Sequence, residues 1–244
     1  MPTTLITGAS SGLGAEMARQ LADRGWDLAL AARRTERLEE LRDEIVAKHP
    51  GRRVELRALD VTNDDQVFEV FRAFRDDFGV IDRVVVNAGL GKGAPIGTGR
   101  YDANRQTAMT NFVAALAQCE AAMEIFRHQK RGHLVMISSV SAMRGMRKTV
   151  TTYAATKAGV AALAEDPSEP VTGGFSSWWG LRHHQRIGRV GRVGRVVVSL
   201  VVATVRGNVT VVRCGSLPTT GSGSVGGRIP GGGNLGGGNL GSST

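Results

Sequence analysis

The chain has 244 residues, enough for one large domain or two small ones with a substantial buried core. Lys and Arg number 31 against 22 Asp and Glu, and the resulting formal charge of +9 would suit an anionic partner. That excess is uneven, because residues 166–244 hold eight Arg, only two acids and 19 of the 33 glycines, whereas residues 1–165 are nearly balanced. Two different compositions are therefore joined in one chain.

The sequence disfavours several classes of protein. Cys119 and Cys214 are too few and too far apart to predict a disulfide framework or a metal site. The N-terminal residues lack a charged region followed by a long apolar segment, which predicts no signal peptide and favours a cytoplasmic location. The longest apolar run, at 196–205, has ten residues and is too short to cross a membrane as a helix.

The first 165 residues alternate between strand and helix patterns. Short β-rich runs bounded by turn residues predict strands at 3–7, 27–32, 54–60, 83–89 and 133–139. Helical periodicity predicts helices at 15–25, 34–49, 64–79 and 103–128, and another that begins near 153. Strands that alternate with helices imply right-handed crossovers, so we expect the α/β class with a Rossmann-type, doubly wound parallel sheet.

A glycine-rich turn, TGASSGLG at 7–14, connects the first strand to the first helix. Its glycines permit a tight turn and let backbone N–H groups approach a diphosphate at the positive end of the helix. A turn with purely structural glycines is the alternative, but the position between a strand and a helix favours a dinucleotide site. The predicted contacts are Gly8, Ser10, Ser11, Gly12, Leu13 and Gly14.

The end of the second predicted strand indicates which dinucleotide would bind. An NAD site would place an acid about 20 residues after the glycine turn, where it binds a ribose hydroxyl. This chain has Ala31, Ala32, Arg33 and Arg34 there and no acid. An arginine can pair with a 2′-phosphate and stack on adenine, so Arg33 and Arg34 favour NADP(H). The alternative is an arginine pair that opens a solvated helix.

Two further strand ends are placed to meet the same cofactor. Asp60 and Val61 close the third strand, where a carboxylate could accept a hydrogen bond from the adenine amino group. Asn87, Ala88 and Gly89 close the fourth, beside the crevice outside the strand ends. Each set alone would also fit ordinary turn chemistry. Together they predict a cofactor that runs across the carboxyl edge of the sheet.

The predicted catalytic residues follow the fifth strand. Tyr153 and Lys157 are four residues apart and share a helix face, so the ammonium would lower the pKa of the phenol toward working pH. Tyr153 would then exchange a proton with a carbonyl or alcohol oxygen, and Ser139 would hydrogen-bond that oxygen. Asn111, in the long preceding helix, could hold a water that links Lys157 to solvent. An exposed helix face is the alternative interpretation of the Tyr–Lys pair.

TGASSGLG, VNAG, ISSVSA and YAATKAG occur in the order and spacing of the short-chain dehydrogenase/reductase family, which residues 3 to about 165 resemble. The resemblance implies one Rossmann domain with a seven-stranded parallel sheet. It also implies a catalytic tetrad of Asn111, Ser139, Tyr153 and Lys157, and homodimers or homotetramers packed through the long helices. The separation of Ser139 from Tyr153 is one residue longer than is usual, and a loop residue would absorb the difference.

The resemblance stops near residue 165. Pro167 and Pro170 fall where the tyrosine helix should continue, and repeats of Gly, Arg and Val follow. The sequence therefore predicts a Rossmann domain at 1–165 and a low-complexity segment at 166–244. Codons for residues 166–169 permit Ile-Arg-Ala-Ser in another reading frame, and that sequence would continue the helix. A frameshift is therefore our explanation for the change of composition. A flexible, disordered tail is the alternative.

Two functions from different classes remain open on the sequence alone. The first is an NADP(H)-dependent oxidoreductase that acts on a small carbonyl or secondary alcohol, and that is weak or inactive because its C-terminal third is lost. In that case the apolar runs at 196–205 and 209–212 could pair with the last strand and partly restore the sheet. The second is a nucleic-acid-binding protein that uses the arginines of 166–244 to contact phosphates.

Overall fold

The computed structural model describes residues 1–143 and 150–164 with their side chains, and the backbone of 195–203 and 209–211. Its strands are β1 (Thr3–Thr7), β2 (Asp27–Ala32), β3 (Val54–Ala58), β4 (Arg83–Val86), β5 (Arg131–Ser139), β6 (Arg195–Ala203) and β7 (Val209–Val211). Its α-helices are α1 (Gly12–Asp23), α2 (Thr35–Lys48), α3 (Asp64–Phe78), α4 (Tyr101–Ala108), α5 (Ala114–Gln129) and α6 (Thr151–Ala164).

The strands form one sheet in the order β3-β2-β1-β4-β5-β6-β7. All pairs from β3 to β6 are parallel. The strand order reverses between β1 and β4, and such a switch point opens a crevice at the carboxyl ends of the strands. The predicted α/β class and doubly wound parallel sheet are confirmed, and the five predicted strands of the first 165 residues are all found.

The last strand differs from what the family resemblance implied. β7 pairs antiparallel with β6, so the sheet is six parallel strands plus one antiparallel strand. Only five residues, 204–208, separate the two strands. A parallel return needs a connection of about a dozen residues or more, so this length permits only an antiparallel neighbour. Of the two apolar runs, the one at 196–205 contributes β6, which pairs with β5, and the one at 209–212 contributes β7, which pairs with β6 rather than with β5.

Helices cover the sheet on both faces. Val84 and Val86 pack into one hydrophobic core with side chains of α3, α5 and α6. Val85 points the other way, into a second core with side chains of α1 and α2. Successive side chains of a strand alternate between faces, so a continuous apolar run is what a strand buried on both faces requires. The run Val84–Val86 has this pattern.

The helix predicted at 103–128 is interrupted. A π-helical turn, Met109–Val113, separates α4 from α5. Such turns contain one extra residue per turn and occur frequently at functional sites. This one contains Asn111, whose side chain is buried. Before the structure, the only sign of the π turn is that Asn111 is a poor helix former.

The proline-containing segment 166–170 and most of the low-complexity segment lie outside the described residues, as does Cys214. Cys119 is described, and its thiol is free and buried. Among the helices in the described part of the chain, none has the length and apolar character needed to cross a membrane.

Candidate active site

A cleft of about 750 Å³ lies at the carboxyl ends of the parallel strands. It brings together residues from the glycine turn, the ends of β2, β3 and β4, and helix α6. The predicted residues that line it are Gly8, Ser10, Ser11, Leu13, Arg33, Arg34, Asp60, Val61, Asn87, Ala88, Gly89, Tyr153 and Lys157. Four predicted residues lie behind or beside this lining rather than in it, namely Gly12, Gly14, Asn111 and Ser139.

The glycine turn is shaped by close backbone packing. Gly8 has a φ of +65° and Gly12 a φ of +57°, a backbone conformation that residues other than glycine rarely adopt. A methyl group at Gly14 would collide with the carbonyl oxygen of Gly8 and lie 2.7 Å from Asn87 Nδ2. Gly8 and Gly14 therefore allow the turn to pack against the end of β4, and Ser11 and Leu13 at the start of α1 line the cleft. No acid occupies the first turn of α1, so nothing there opposes an anion.

Asn87 and Thr7 fasten the glycine turn to β4. Asn87 Nδ2 donates to the carbonyl oxygens of Thr7, at 2.9 Å, and Gly8, at 3.3 Å. The Thr7 hydroxyl oxygen accepts the N–H groups of Asn87 and Ala88, each at 3.2 Å. The Asn87 side chain therefore positions the turn. Thr7 was not among the predicted site residues, although it begins the glycine motif.

Arg33 and Arg34 place two positive charges in the lining of the cleft, near the glycine turn. Arg34 Nη2 donates to the hydroxyl oxygens of Ser11, at 2.7 Å, and Ser10, at 3.2 Å. The side chain thus bridges from the start of α2 to the glycine turn. A guanidinium beside two hydroxyls is a set of donors suited to a phosphate group.

Asp60 lies across this end of the cleft. Partial burial would raise the pKa of its carboxyl group, but hydrogen bonds from the Thr62 N–H and hydroxyl and the charge of Arg33 outweigh burial and lower it. Asp60 is therefore ionised at neutral pH and can accept a hydrogen bond from an amino group.

Lys157 is buried at the inner end of the cleft. Its side chain is 6% exposed, and Nζ donates to the carbonyl oxygen of Ile137 at 2.8 Å. Burial lowers the pKa of Lys157 to about 8, so the amine is still mostly protonated at pH 7. Nζ lies 5.9 Å from the centre of the Tyr153 ring, as expected for residues four apart on one helix face. The predicted Tyr–Lys pair is thus brought together at the cleft.

Two serines at the end of β5 have different contacts. The Ser138 hydroxyl donates to the carbonyl oxygen of Lys157 at 2.8 Å and ties α6 to the sheet. The Ser139 oxygen accepts the Ser141 N–H at 3.2 Å and the Ser141 hydroxyl at 2.9 Å. A hydroxyl has one proton and two acceptor sites, so these contacts are compatible with a further hydrogen bond from Ser139 to another group. Ser138 and Ser141 were not predicted, because their roles depend on contacts that the spacing of the motif does not encode.

The expected action of Ser139 and Tyr153 on one substrate oxygen stays a prediction. Residues 144–149, which connect their elements, lie outside the described part of the chain, as does most of the loop expected to absorb the extra residue.

Asn111 packs against the loop that follows β4. Its Oδ1 accepts the Leu90 N–H at 2.8 Å, and its Nδ2 donates to the Leu90 carbonyl oxygen at 2.8 Å and the Thr156 hydroxyl at 3.4 Å. Gly89 lies between Asn111 and Lys157, since a methyl group there would be 3.2 Å from Asn111 Oδ1 and 3.7 Å from Lys157 Nζ. The side chain therefore fixes the loop, and the water that we expected it to hold stays a prediction.

Comparison with known proteins agrees with this arrangement. The family model described as short chain dehydrogenase matches residues 2–171. An uncharacterized oxidoreductase of Mycobacterium tuberculosis (strain H37Rv) is 52% identical over 161 residues, which cover 66% of this chain and 64% of the relative. An uncharacterized oxidoreductase of Myxococcus xanthus is 39% identical over 163 residues, which cover 67% of this chain and 63% of that relative. The match thus spans less than two thirds of the length of these relatives.

Solved structures show the same likeness. Levodione reductase superposes with a TM-score of 0.64 at 30% identity, over 67% of this chain and 64% of the other. An alcohol dehydrogenase from Thermococcus sibiricus, complexed with 5-hydroxy-NADP, superposes with a TM-score of 0.63 at 30% identity, over 67% of this chain and 68% of the other. With the glycine turn, the Tyr153–Lys157 pair and the strand order all in place, the chain belongs to the short-chain dehydrogenase family.

Proposed function

We propose that this protein is an NADP(H)-dependent oxidoreductase by descent, with a small carbonyl compound or secondary alcohol as its substrate. The observation that carries the proposal is the single cleft that joins the glycine turn and Arg34 at one end to Tyr153 and Lys157 at the other. In such a site NADP(H) supplies or takes up the hydride. The names of the relatives and structures given above refer to oxidoreductases and none refers to nucleic acid, so the nucleic-acid alternative is not carried further.

The residues of the cleft suit a dinucleotide. Gly8 and Gly14 pack the turn against β4, and Leu13, in the first turn of α1, lines the cleft, where the positive end of the helix favours a diphosphate. Arg34, Ser10 and Ser11 form a cluster of donors with no carboxylate among them, which favours a 2′-phosphate. The structural relatives do not decide this point, because one contains 5-hydroxy-NADP and another, a xylitol dehydrogenase, contains NAD+. The preference for NADP(H) therefore rests on Arg33 and Arg34.

The proposed chemistry assigns one task to each catalytic residue. Tyr153 gives a proton to the carbonyl oxygen during reduction and takes one from the alcohol during oxidation. The Lys157 ammonium, protonated at pH 7, stabilises the phenolate form of Tyr153. Ser139 hydrogen-bonds the same substrate oxygen, and its contacts with the Ser141 N–H and hydroxyl hold it in position.

The proposal includes a homo-oligomer packed through α4, α5 and α6. Phe112, Val113 and Leu116 are each more than a third exposed, although they are apolar and lie on or next to the long helix. A second copy of the chain would cover them. Light scattering of the purified protein measures this directly, and a monomer at all concentrations would contradict it.

We also propose that residues 166–244 are not the C-terminal third of a dehydrogenase but the product of a frameshift. The family match ends at residue 171, and the relatives match over only about 160 residues, although each is longer than the matched region. Sequencing of the gene tests this idea. A downstream region without family motifs in any reading frame would overturn it and favour a flexible tail.

The function is tested by cofactor binding and by turnover. Addition of NADPH to the full chain should change the nicotinamide fluorescence in a saturable way. Tyr153→Phe should keep NADPH affinity within about twofold and lose whatever turnover the chain has, because only the proton-donating hydroxyl is removed. Absence of binding by the full chain would contradict the proposed function. Unchanged turnover in the variant would remove Tyr153 from the mechanism.

A further inference from the structure

The segment Leu90–Ala94 forms part of the wall of the cleft and belongs to no helix or strand. Leu90 and Gly91 line the cleft directly. Backbone N–H and C=O groups outside regular structure need other partners wherever water is excluded, and Ala94 is buried. This stretch of backbone therefore needs hydrogen-bond partners outside regular secondary structure.

Side chains of the neighbouring helix supply those partners. Asn104 accepts the Ala94 N–H at 3.0 Å through Oδ1 and donates to the Ala94 carbonyl oxygen at 3.1 Å through Nδ2. The Thr107 hydroxyl, which is fully buried, lies 2.5 Å from the Lys92 carbonyl oxygen and 3.0 Å from that of Ala103. Asn111 makes the same two-bond contact with Leu90 that Asn104 makes with Ala94.

The spacing of these contacts is regular. Residues 104, 107 and 111 fall on one face of a helix, about 5 Å apart along its axis. Their partners 94, 92 and 90 are every second residue, about 6.6 Å apart in an extended chain. The two repeats match closely enough for the loop to run antiparallel to the helix with a contact at each step. We call the contacts of Asn104, Thr107 and Asn111 with this loop the polar ladder.

We propose that Asn104 and Thr107 are positioning residues that extend the contact of Asn111 and hold Leu90–Ala94 as a fixed wall of the cofactor cleft. The Asn104 amide group pairs with the N–H and C=O groups of Ala94, as the backbone of a neighbouring strand would. At its other end the ladder reaches the catalytic helix, because Asn111 contacts Thr156, whose hydroxyl donates to the Tyr153 carbonyl oxygen at 2.7 Å. The wall and α6 are therefore connected through side chains.

Amide hydrogen exchange measured by NMR on the full chain tests the ladder without any ligand. Asn104→Ala removes the acceptor of the Ala94 N–H, so exchange at Ala94 should rise about tenfold, while exchange at Leu90 and in β4 should stay near wild type. Asn111→Ala should reverse the order, with the larger rise at Leu90. Gln106→Ala, an exposed position on the same helix, is the matched control and should change neither amide.

Cofactor affinity tests whether the fixed wall serves the cleft, and this arm rests on the proposed function. Asn104→Ala and Thr107→Val should each weaken NADPH binding about threefold to tenfold, whereas Thr107→Ser, which keeps the hydroxyl, should bind like wild type. A role in overall stability alone would not produce this difference between Thr107→Val and Thr107→Ser at equal melting temperature.

Two results would overturn the inference. One is a uniform rise in exchange at Ala94, Leu90 and β4 in Asn104→Ala, since that is the mark of global destabilisation. The other is wild-type NADPH affinity in both Asn104→Ala and Thr107→Val. If the wild-type chain binds neither NADPH nor NADH, the proposed function fails, and the exchange pattern alone decides whether the ladder holds the wall.

Discussion

On one side of β5 the sheet is built from β4, β1, β2 and β3, which are connected through helices and followed by the turns that line the cleft. On the other side it is built from β6 and β7, which belong to a Gly-, Arg- and Val-rich sequence and are joined by a connection too short for a parallel return. The first side carries the glycine turn and the strand ends that line the cleft. The second side provides β5 with the neighbouring strand that its edge would otherwise lack. Cofactor binding and catalysis can therefore be separated by experiment.

The largest expected effect concerns the chain as a whole. We expect the full chain to show little or no NADPH oxidation over a panel of carbonyl compounds, together with a broad, weakly cooperative thermal transition. Hydride transfer requires the substrate and nicotinamide to be held at bonding distance, and loss of that placement reduces rates by orders of magnitude. A gene in which the frame after residue 165 is restored provides the matched comparison. A sharp transition and ordinary turnover by the chain as it stands would show that residues 166–244 form a working part of the enzyme.

The second effect concerns the cofactor side alone. Gly14→Val should weaken NADPH binding by about a hundredfold or abolish it, because branched atoms would collide with the Gly8 carbonyl and displace the Asn87 side chain. Gly51→Ala is a matched control, since a methyl group at Gly51 would meet no atom within 4 Å. Titration followed by nicotinamide fluorescence measures both. Wild-type affinity in Gly14→Val would mean that the turn does not bind the diphosphate.

A third, smaller effect concerns the choice of dinucleotide. We expect the wild-type chain to bind NADPH more tightly than NADH, and Arg33→Asp to reverse that order by about tenfold or more, because an acid repels a 2′-phosphate and accepts a ribose hydroxyl. The exposed Arg105, far from the strand ends in sequence, offers a charge-matched control in Arg105→Asp. An affinity ratio that does not change in Arg33→Asp would count against this use of Arg33.

The same division explains what the sequence could predict. The strand order and the cleft follow from local patterns, such as the Val84–Val86 run and the glycine turn, that each determine one element. The π turn at Met109–Val113 and the contacts of Thr7, Ser138 and Ser141 depend on atoms distant in the chain. The antiparallel direction of β7 depends on the length of a connection in the Gly-, Arg- and Val-rich segment that follows the family match.

The smallest effect is a pH dependence that arises from the burial of Lys157. Its pKa in the folded protein is about 8, below the ordinary 10.5, so between these values the unfolded chain binds a proton that the folded chain does not. Stability therefore rises with pH through this window, and the gain is lost again as the pH falls through 8. Lys157→Met carries no titrating group at position 157. Relative to this variant, the wild-type free energy of unfolding should increase by at most about 3 kcal/mol between pH 7 and pH 10.5.

Urea denaturation at a series of pH values measures this difference, and other titrating groups cancel because both proteins contain them. Lys48→Met is the control, because the Lys48 side chain is 65% exposed. The difference in free energy of unfolding between wild type and Lys48→Met should therefore show no comparable rise between pH 7 and pH 10.5. A Lys157→Met difference that is constant from pH 7 to pH 10.5 would mean that Lys157 is solvated in solution. The ammonium would then keep its charge above pH 8, and the proposed support of the Tyr153 phenolate would extend to more alkaline pH than burial allows.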